Sequence, residues 1–254
     1  MNRSLPHIFL VTLLFFLQNA GIPHPTQAGA LSISPVRITL PSGITSGLMT
    51  VRNESPDPVR LQLSLHAWSQ DPEGEMKLMP SEDLVIFPGL LQLQPNEARK
   101  VRIGLPAQQN VAIEKSYRIF LDELPEAKKL ERNQVRVLAR IGVPIFLQPK
   151  EPKPSLAPTI GESSAEGFLV ELKNTGNVHL IIQEISITGL GAGEAPLFEE
   201  KLTGGYLLAN STRHHRIKVP ADRRGKLSAC RLHIVTPEGL SEETLRCTAT
   251  PVAQ

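Results

Sequence analysis

The side chains best suited to recognition chemistry are three arginines within apolar, strand-like stretches. Arg37 lies in LSISPVRITL, Arg102 in KVRIGL and Arg140 in VRVLARIGVPIF. A guanidinium stays charged at physiological pH and presents its donors in a planar fork, so it suits charge-assisted binding. For Arg102 and Arg140 a solvated strand face is an equally good interpretation. Arg37 differs because it follows a switch in apolar parity, which predicts that it projects into a crevice beside an interdomain linker.

Catalytic and cofactor motifs are absent from the sequence. It has no G-x-S-x-G elbow, no P-loop, no H-E-x-x-H and no C-x-x-C. The glycine-rich GLGAGE (189–194) has the wrong spacing for a phosphate loop, and no helical pattern follows it, which favours an ordinary loop. His214 and His215 are adjacent and point to opposite faces of a strand, which favours a solvated pair over a metal site. We therefore expect no enzymatic activity, no cofactor and no metal.

Cys230 and Cys247 are the only cysteines. In an oxidising compartment such a pair favours one disulfide, which adds about 3 kcal/mol by the chain-entropy argument. We expect it to tie the last two strands together. Two cysteines are too few for a disulfide scaffold, so hydrophobic cores must hold the fold.

The first 30 residues have the layout of a secretory signal peptide. An apolar run extends from Ile8 to Leu17, and small residues follow at Ala28 and Ala30. The run is too short to span a bilayer stably, and no later run of about 20 apolar residues follows, so membrane insertion is not expected. A net charge of +2 gives no sign of nucleic-acid binding. The mature protein is expected to be exported and soluble.

A proline-rich stretch, QPKEPKPSLAP (148–158), divides the remaining chain. Its four prolines break helices and interior strands alike, which is typical of an interdomain connector. We place the domains at 31–149 and 155–254. About 225 residues remain after the signal peptide, enough for two cores of ordinary size.

Short runs of alternating apolar and polar residues recur in both halves, without a long helical period. The clearest is VRLQLSLHA (59–67), which predicts a half-buried strand. In LSISPVRITL the apolar parity changes at Pro35, which predicts a kink that passes the first strand between sheets. His66 and Trp68 share one strand face, and we assign both to surface or sheet packing. The predicted fold class is all-β, with two immunoglobulin-like β-sandwich domains.

Five sequence blocks carry a resemblance to a known family: SISPVRITL, NEARKVRIGLP, SYRIFLDELP, VRVLARIGVPIFLQP and LVELKNTGNVHLIIQEI. In this order and behind a signal peptide, the chain resembles the periplasmic chaperones of the chaperone-usher pilus pathway. The resemblance covers both domains and implies a boomerang arrangement. It also implies a periplasmic location, with pilus subunits and an outer-membrane usher as partners.

In that family the last strand of the first domain is lent to a pilus subunit that lacks its own final strand. The resemblance assigns the donated row to Val135, Val137, Ala139 and Ile141. Strand addition supplies backbone hydrogen bonds, and burying the aliphatic row contributes about 5 to 10 kcal/mol before association costs. The implied function is to bind, fold and cap subunits and to deliver them to the usher.

The family also anchors the subunit's terminal carboxylate in the cleft between the domains, using two basic residues. Arg37 aligns with the first. The second is usually a lysine, but its position is occupied here by Pro144, and the resemblance leaves Arg140 and Arg102 as alternative replacements. This departure resembles the archaic branch of the family, whose pilins are related to spore coat protein U.

The resemblance also implies a buried charge network between the domains. Glu123 aligns with a carboxylate of that network. Its usual arginine partner is replaced by Gln148, so we expect an altered network.

Two expectations concern the free protein and the alternative function. An apolar strand edge without a partner is an aggregation hazard, so we expect self-capping or a homo-oligomer when no subunit is bound. The alternative is a two-domain immunoglobulin-like adhesin, another extracellular binding module or a pilus subunit. A subunit should lack a strand and carry an amino-terminal donor extension, whereas here each half has a complete strand pattern.

Overall fold

The computed structural model describes residues 31–125, 137–164 and 166–247. The described part of the first domain contains ten strands: β1 (Leu31–Ser34), β2 (Ile38–Leu40), β3 (Ser46–Asn53), β4 (Val59–Gln70), β5 (Met76–Pro80), β6 (Val85–Phe87), β7 (Leu90–Leu93), β8 (Ala98–Gly104), β9 (Lys115–Glu123) and β10 (Arg140–Leu147). One sheet has the order β1-β3-β8-β6. The other has the order β2-β10-β9-β4-β5, with β7 also paired to β4.

The two sheets enclose a core built from the alternating residues of their strands. In β4 the predicted apolar row is buried from Val59 to Leu65 and half-buried at Ala67. The odd-numbered residues Val101 and Ile103 of β8, and those from Tyr117 to Leu121 of β9, are also buried. Fully buried members of this core include Leu61, Ile103, Tyr117, Ile119 and Ile145. The predicted sandwich class is therefore confirmed for this domain.

The first strand passes from one sheet to the other, as its change of parity predicts. β1 pairs with β3, whereas β2 pairs in parallel with the end of β10. Pro35 and the two residues after it separate the two segments. Because proline lacks an N–H and restricts its own backbone, it suits such a break in a ladder. The break places Arg37 immediately before β2.

The second domain continues the all-β pattern. Its described strands are β11 (Leu156–Ser163), β12 (Gly167–Asn174), β13 (Leu180–Ile182), β14 (Glu184–Leu190), β15 (Pro196–Leu202), β16 (Gly205–Leu207), β17 (Thr212–Lys218), β18 (Ala229–Thr236) and β19 (Gly239–Arg246). They form the arrangements β11-β12-β17, β13-β16 and β15-β14-β18-β19. Two 3-10 turns cover Ala192–Glu194 and Arg224–Lys226. GLGAGE thus joins the end of β14 to a single turn.

The second core includes the predicted disulfide. A bond joins Cys230 on β18 to Cys247, just beyond β19, and both residues are buried. β18 and β19 are antiparallel neighbours, so the bridge closes this terminal hairpin as expected. The boundaries 31–149 and 155–254 stay predictions, although the described strands lie within those ranges.

An aromatic cluster joins the two domains. Trp68 of β4 and Phe146 of β10 are buried against Leu208 of the second domain, and Tyr206 packs on the same cluster. The Gln70 side chain completes the contact, because its amide donates to the Tyr206 carbonyl at 2.9 Å and its oxygen accepts the Leu208 N–H at 3.0 Å. Trp68 is therefore a buried residue of the contact between the domains, and the expected surface or sheet packing does not describe it fully. The sequence pattern could not assign its partner domain.

Candidate functional site

The most distinctive feature of the first domain is the incomplete pairing of β10. Over its whole length, Arg140 to Leu147, this strand pairs with β9. On its other side β2 covers only the last three residues, Ile145 to Leu147. Within the described residues, the segment 140–144 is therefore paired on one side and open on the other. An open strand edge is a template for adding a strand from another chain.

Backbone hydrogen bonds show which residues face the open edge. The Ala139 carbonyl accepts the Glu123 N–H on the β9 side, whereas the Gln148 N–H donates to Leu40 on the β2 side. Backbone groups alternate between the two sides of a strand, so even-numbered residues address the open edge. Arg140 and Gly142 can each offer an N–H and a carbonyl there. Pro144 can offer only a carbonyl, which is why a proline is tolerated at this position.

The odd-numbered row on β10 leaves the core of its own domain step by step. Ile145 and Val143 are only 0% and 3% exposed, Ile141 and Ala139 are half-buried, and Val137 is 85% exposed. Regular strand geometry begins at Arg140, so Val137 and Ala139 precede it, unlike in the predicted strand. Val135 lies outside the described residues. The predicted donor row thus ends in apolar surface that its own domain does not cover.

Arg37 occupies a crevice at the domain boundary, as the sequence predicts. Its exposed side chain lines a cavity of about 340 Å³ together with Gln148, His179 and the linker residues Pro152 and Pro154. Parallel pairing of Ile38 with Ile145 places Arg37 beside position 144 when the register is continued by one residue. Within the described part of the chain, Arg37 makes no salt bridge.

The two alternatives for a second basic residue have different surroundings. Arg140 lies on the same outer face of its sheet as Pro144, but Asp122 pairs with its Nε at 3.2 Å and Phe120 lies beneath the guanidinium at 4.4 Å. Arg102 is exposed on β8, which belongs to the other sheet. Arg102 therefore does not lie on a strand that borders β10, whose neighbours are β9 and β2, and its role as an alternative anchor stays a prediction.

Sequence reasoning overlooked a further arginine on the outer face of this sheet. Arg118 of β9 is the register partner of both Pro144 on β10 and His66 on β4. Its guanidinium carbon lies 4.2 Å from the centroid of the Trp68 ring. Alternation in YRIFLDEL gives its outward direction, but only strand register reveals that it borders Pro144. The information needed to find Arg118 was the strand register that pairs it with Pro144, and a single sequence does not contain that register.

A buried carboxylate, that of Glu114, links the domains. Glu114 accepts hydrogen bonds from the His179 backbone N–H at 3.0 Å and from Gln148 Nε2 at 3.3 Å, and lies 2.7 Å from His179 Nδ1. The His179 ring stacks on Phe146 with centroids 3.7 Å apart. Glu123 instead accepts the Ala139 N–H at 3.1 Å, near the start of β10. Gln148, which replaces the usual arginine, bonds to Glu114, so the network is altered as expected, and the structural role of Glu123 stays a prediction.

The paired histidines of β17 are not simply solvated, contrary to the prediction. His214 and His215 are both half-buried, and the Nε2 atom of His215 is buried without a partner among the described residues. Burial, followed by the nearby Arg213 and His214, lowers the pKa of His215 to about 4. His215 is therefore neutral near pH 7.

Across the described ranges, no group of three or more His, Cys, Asp or Glu side chains is placed to hold a metal ion. The same residues include no helix that is both long and apolar enough to cross a bilayer. The described site itself offers an open strand edge, an apolar row and cations on one sheet face, features that suit recognition of another chain.

Comparisons with known proteins agree with this geometry. Residues 30–153 match the family model for pili and flagellar-assembly chaperones, PapD N-terminal domain. The CsuC–CsuE chaperone–tip adhesion subunit pre-assembly complex, from archaic chaperone-usher Csu pili of Acinetobacter baumannii, has a TM-score of 0.62 at 18% identity, covering 87% of this chain and 100% of that chain. The YadV chaperone has a TM-score of 0.60 at 13% identity, with 86% and 100% covered.

A third similar structure is the Salmonella enterica SafA pilin in complex with the SafB chaperone. Its TM-score is 0.54 at 13% identity, and the match covers 88% of this chain and 98% of that chain. At these low identities, the three structural matches show similarity of fold alone. Among curated proteins, none matches the sequence.

Proposed function

We propose that the chain is a pilus-assembly chaperone, in keeping with the family match over residues 30–153, and that it binds pilus subunits in the periplasm by lending them the open edge of β10. The observation that carries the proposal is the one-sided pairing of residues 140–144 beside an apolar row that becomes exposed toward Val137. A subunit strand added at this edge gains backbone hydrogen bonds with β10. The added strand extends the sheet and does not enter the core of the chaperone domain. The chaperone thereby caps a surface that would otherwise aggregate.

The energetic contribution comes mainly from the apolar row. Burying three or four aliphatic side chains contributes about 5 to 10 kcal/mol, from which the entropy of association must be subtracted. Backbone bonds at Arg140 and Gly142 add direction and register rather than a large net free energy. A binding free energy of this moderate size suits a chaperone that must release its subunit. Release can follow when the subunit completes its fold with a strand from another subunit. We include delivery to an outer-membrane usher, without cofactor or nucleotide, in the proposal.

Similar chaperones support this assignment. CsuC and SafB are described in complexes with a tip adhesion subunit and a pilin, respectively. We extend this class of partner to the present chain and favour the archaic branch, which includes the Csu system. The adhesin alternative is not favoured, because the family match is to a chaperone domain and both halves carry their own sheets.

Arg37 is the proposed anchor for the subunit's terminal carboxylate. It lies in the crevice at the domain boundary and immediately precedes β2, the strand that borders the paired end of β10. A guanidinium can hold both oxygens of a carboxylate in a bidentate pair. This contact would fix the end of the subunit and so set the register in which its strand meets the donor row.

A matched pair of substitutions tests the donor row. Val137 is 85% exposed and Leu138 is 41% exposed, so Val137→Asp and Leu138→Asp should both leave the free protein folded. The proposal predicts that Val137→Asp lowers capture of a pilin at least tenfold, since apolar burial worth about 1.5 to 3 kcal/mol is lost. Leu138→Asp should have a much smaller effect, because odd-numbered residues form the row.

The assay is co-purification of tagged protein from the periplasm of the native host, with partners identified by mass and Arg37→Ala included. Recovery of a pilin by the wild type, with loss in Val137→Asp, supports donor-strand complementation. Equal capture by both Asp variants contradicts the donor row. If the wild type captures no pilin under conditions in which pili form, the chaperone function itself is refuted.

The same edge predicts the behaviour of the free protein. We propose that two copies cap each other through their open β10 edges when no subunit is present. Sedimentation at increasing concentration should show a dimer that Val137→Asp weakens. A monomer at all concentrations, with rapid amide exchange along residues 140–144, would contradict self-capping.

A further inference from the structure

The exposed start of the donor row contacts a carboxylate of its own domain, that of Glu123. The Glu123 backbone N–H donates to the Ala139 carbonyl at 2.9 Å, and a side-chain oxygen of Glu123 accepts the Ala139 N–H at 3.1 Å. These contacts lie one residue before the first regular pair of the β10–β9 ladder, Arg140 with Asp122. Glu123 therefore binds both backbone groups of Ala139, one through its main chain and one through its side chain.

The side-chain contact takes the place of the second backbone bond of a ladder pair. In an antiparallel sheet, opposed residues of the hydrogen-bonded kind exchange two backbone N–H···O bonds. Among the described contacts, Ala139 and Glu123 make one such bond, and the carboxylate accepts the N–H that a backbone carbonyl accepts in a regular pair. A bond to an ionised acceptor is about twice as strong as a neutral one. The carboxylate thus continues the pairing of β9 with the donor row beyond the regular strand.

Glu123 also lies where the buried apolar row of β9 ends. Three buried residues of that row oppose odd-numbered residues of β10, in the pairs Tyr117 with Ile145, Ile119 with Val143 and Leu121 with Ile141. The next odd-numbered position on β9 is Glu123, which is half-buried beside Leu61 of β4. A carboxylate there does not extend the apolar surface of the core, because an ionised group resists burial. The rest of the row, up to the 85% exposed Val137, is left for another chain to cover.

The contact between Glu123 and Ala139 is compatible with a bound subunit strand. Ala139 is odd-numbered, so its backbone groups address β9, whereas those of the even-numbered Leu138 address the open edge. A strand added at that edge does not compete with Glu123 for the Ala139 N–H. Because side chains alternate, holding Ala139 in an extended conformation places Val137 on the face of the donor row. The open edge is thereby extended to Leu138.

We propose that Glu123 is a positioning residue for the donor row, whose carboxylate holds residues 137–139 in an extended conformation before a pilus subunit binds. This inference rests on the proposed function and adds a residue to it at the end of β9. A segment that is ordered beforehand loses less backbone entropy on binding, so more of the interaction free energy appears as affinity. Ordering one residue in this way corresponds to roughly a tenfold gain in affinity.

Amide hydrogen exchange tests the contact without a partner. At a concentration that keeps the protein monomeric, the Ala139 amide should exchange about tenfold or more slowly than the Leu138 amide, which addresses the open edge. Glu123→Ala should remove this difference, while the Ile141 and Val143 amides stay protected by the ladder and report an intact fold. Glu123→Gln should retain part of the protection, because its amide oxygen can accept the same N–H. Equal Ala139 exchange in the wild type and Glu123→Ala overturns the inference.

Pilin capture tests whether the contact serves binding. The amount of pilin retained by each tagged variant is measured by mass after co-purification from the periplasm. Glu123→Ala should lower the amount about tenfold, and Glu123→Gln should recover most of that loss. Glu54→Ala is the matched control, because it removes an exposed carboxylate just beyond β3 in the other sheet, and it should leave capture unchanged. Capture by Glu123→Ala at the wild-type level overturns the inference.

A double substitution separates positioning from general destabilisation. If Glu123 acts by presenting Val137, Glu123→Ala should have little further effect once Val137→Asp has removed the apolar contact. Losses that multiply in the double variant would show that Glu123 acts independently of the row and overturn the inference. A pilin bound normally by Glu123→Ala leaves the chaperone function standing and refutes the positioning role, whereas no pilin bound by the wild type refutes the proposed function. The two failures are therefore distinguishable.

Discussion

Replacing Glu114 by alanine should weaken the contact between the two domains and lower the free energy of unfolding. Glu114 is only 6% exposed. Its carboxylate accepts hydrogen bonds from the His179 backbone N–H and from Gln148 Nε2, and it lies 2.7 Å from His179 Nδ1. Gln148 follows β10 and His179 belongs to the second domain. The substitution therefore removes a shared acceptor from both sides of the boundary.

The magnitude follows from these contacts. A hydrogen bond to a charged group contributes about 1.5 to 3 kcal/mol, and leaving a buried donor unpaired costs about 1 to 3 kcal/mol. Relief of the buried carboxylate's own desolvation offsets part of this loss. We expect Glu114→Ala to lower the free energy of unfolding by about 3 kcal/mol. Glu114→Gln should cost less, because it retains one oxygen acceptor but places an amide donor near Gln148.

Urea unfolding followed by tryptophan fluorescence provides the assay. Trp68 is the only tryptophan and is buried at the domain boundary, so its emission reports separation of the domains as well as unfolding. Glu151→Ala is the matched control, because its carboxylate pairs with Lys153 at 3.5 Å and both side chains are 74% exposed. That control should cost less than about 0.5 kcal/mol. A similarly small loss for Glu114→Ala would refute the reasoning.

Three further perturbations address other parts of the fold. Replacing Cys230 and Cys247 together by alanine should destabilise the second domain by about 3 kcal/mol in urea unfolding followed by circular dichroism; an unchanged midpoint would contradict a stabilising bridge. Because the pKa of His215 is lowered to about 4 from 6.5, the unfolded state gains a proton as pH falls from 7 to 5 and the folded state does not. Stability should fall by about 1 kcal/mol after allowance for solvent screening, and His215→Gln should remove that loss in paired urea titrations; the same loss in the variant would contradict the assignment. Gln70→Ala removes both backbone contacts to the second domain and should cost about 2 kcal/mol by Trp68 fluorescence, whereas exposed Gln92→Ala should be neutral. Equal effects would contradict the role of Gln70.

Much of the fold could be predicted because it depends on local periodicity. In VRLQLSLHA, successive side chains point to opposite faces, so an apolar row specifies a half-buried strand without knowledge of its neighbours. The parity change at Pro35 likewise predicts the passage between sheets, and β1 and β2 do pair in different sheets. The disulfide was also predictable, since only one pairing of two cysteines exists.

The candidate site was only partly predictable because it depends on contacts between distant positions. Arg37 could be placed near a crevice from its local parity, and it does line the cavity at the domain boundary. The partnership of Glu114 with His179 spans 65 positions and crosses between domains, so no local pattern contains it. The family resemblance pointed to Glu123 for such a network, and the Glu123 side chain accepts the Ala139 N–H near the start of β10.

The amino-acid sequence by itself determined the all-β class, the alternating rows and the disulfide, since each follows from local residue order or pair count. Tertiary structure alone decided that β2 leaves residues 140–144 open and that Arg118 borders Pro144. It also decided that Trp68 supports Arg118 while packing against the second domain. The physical reason is that strand register and domain packing arise from many weak contacts made together. A side chain's chemical neighbours are set only when those contacts form.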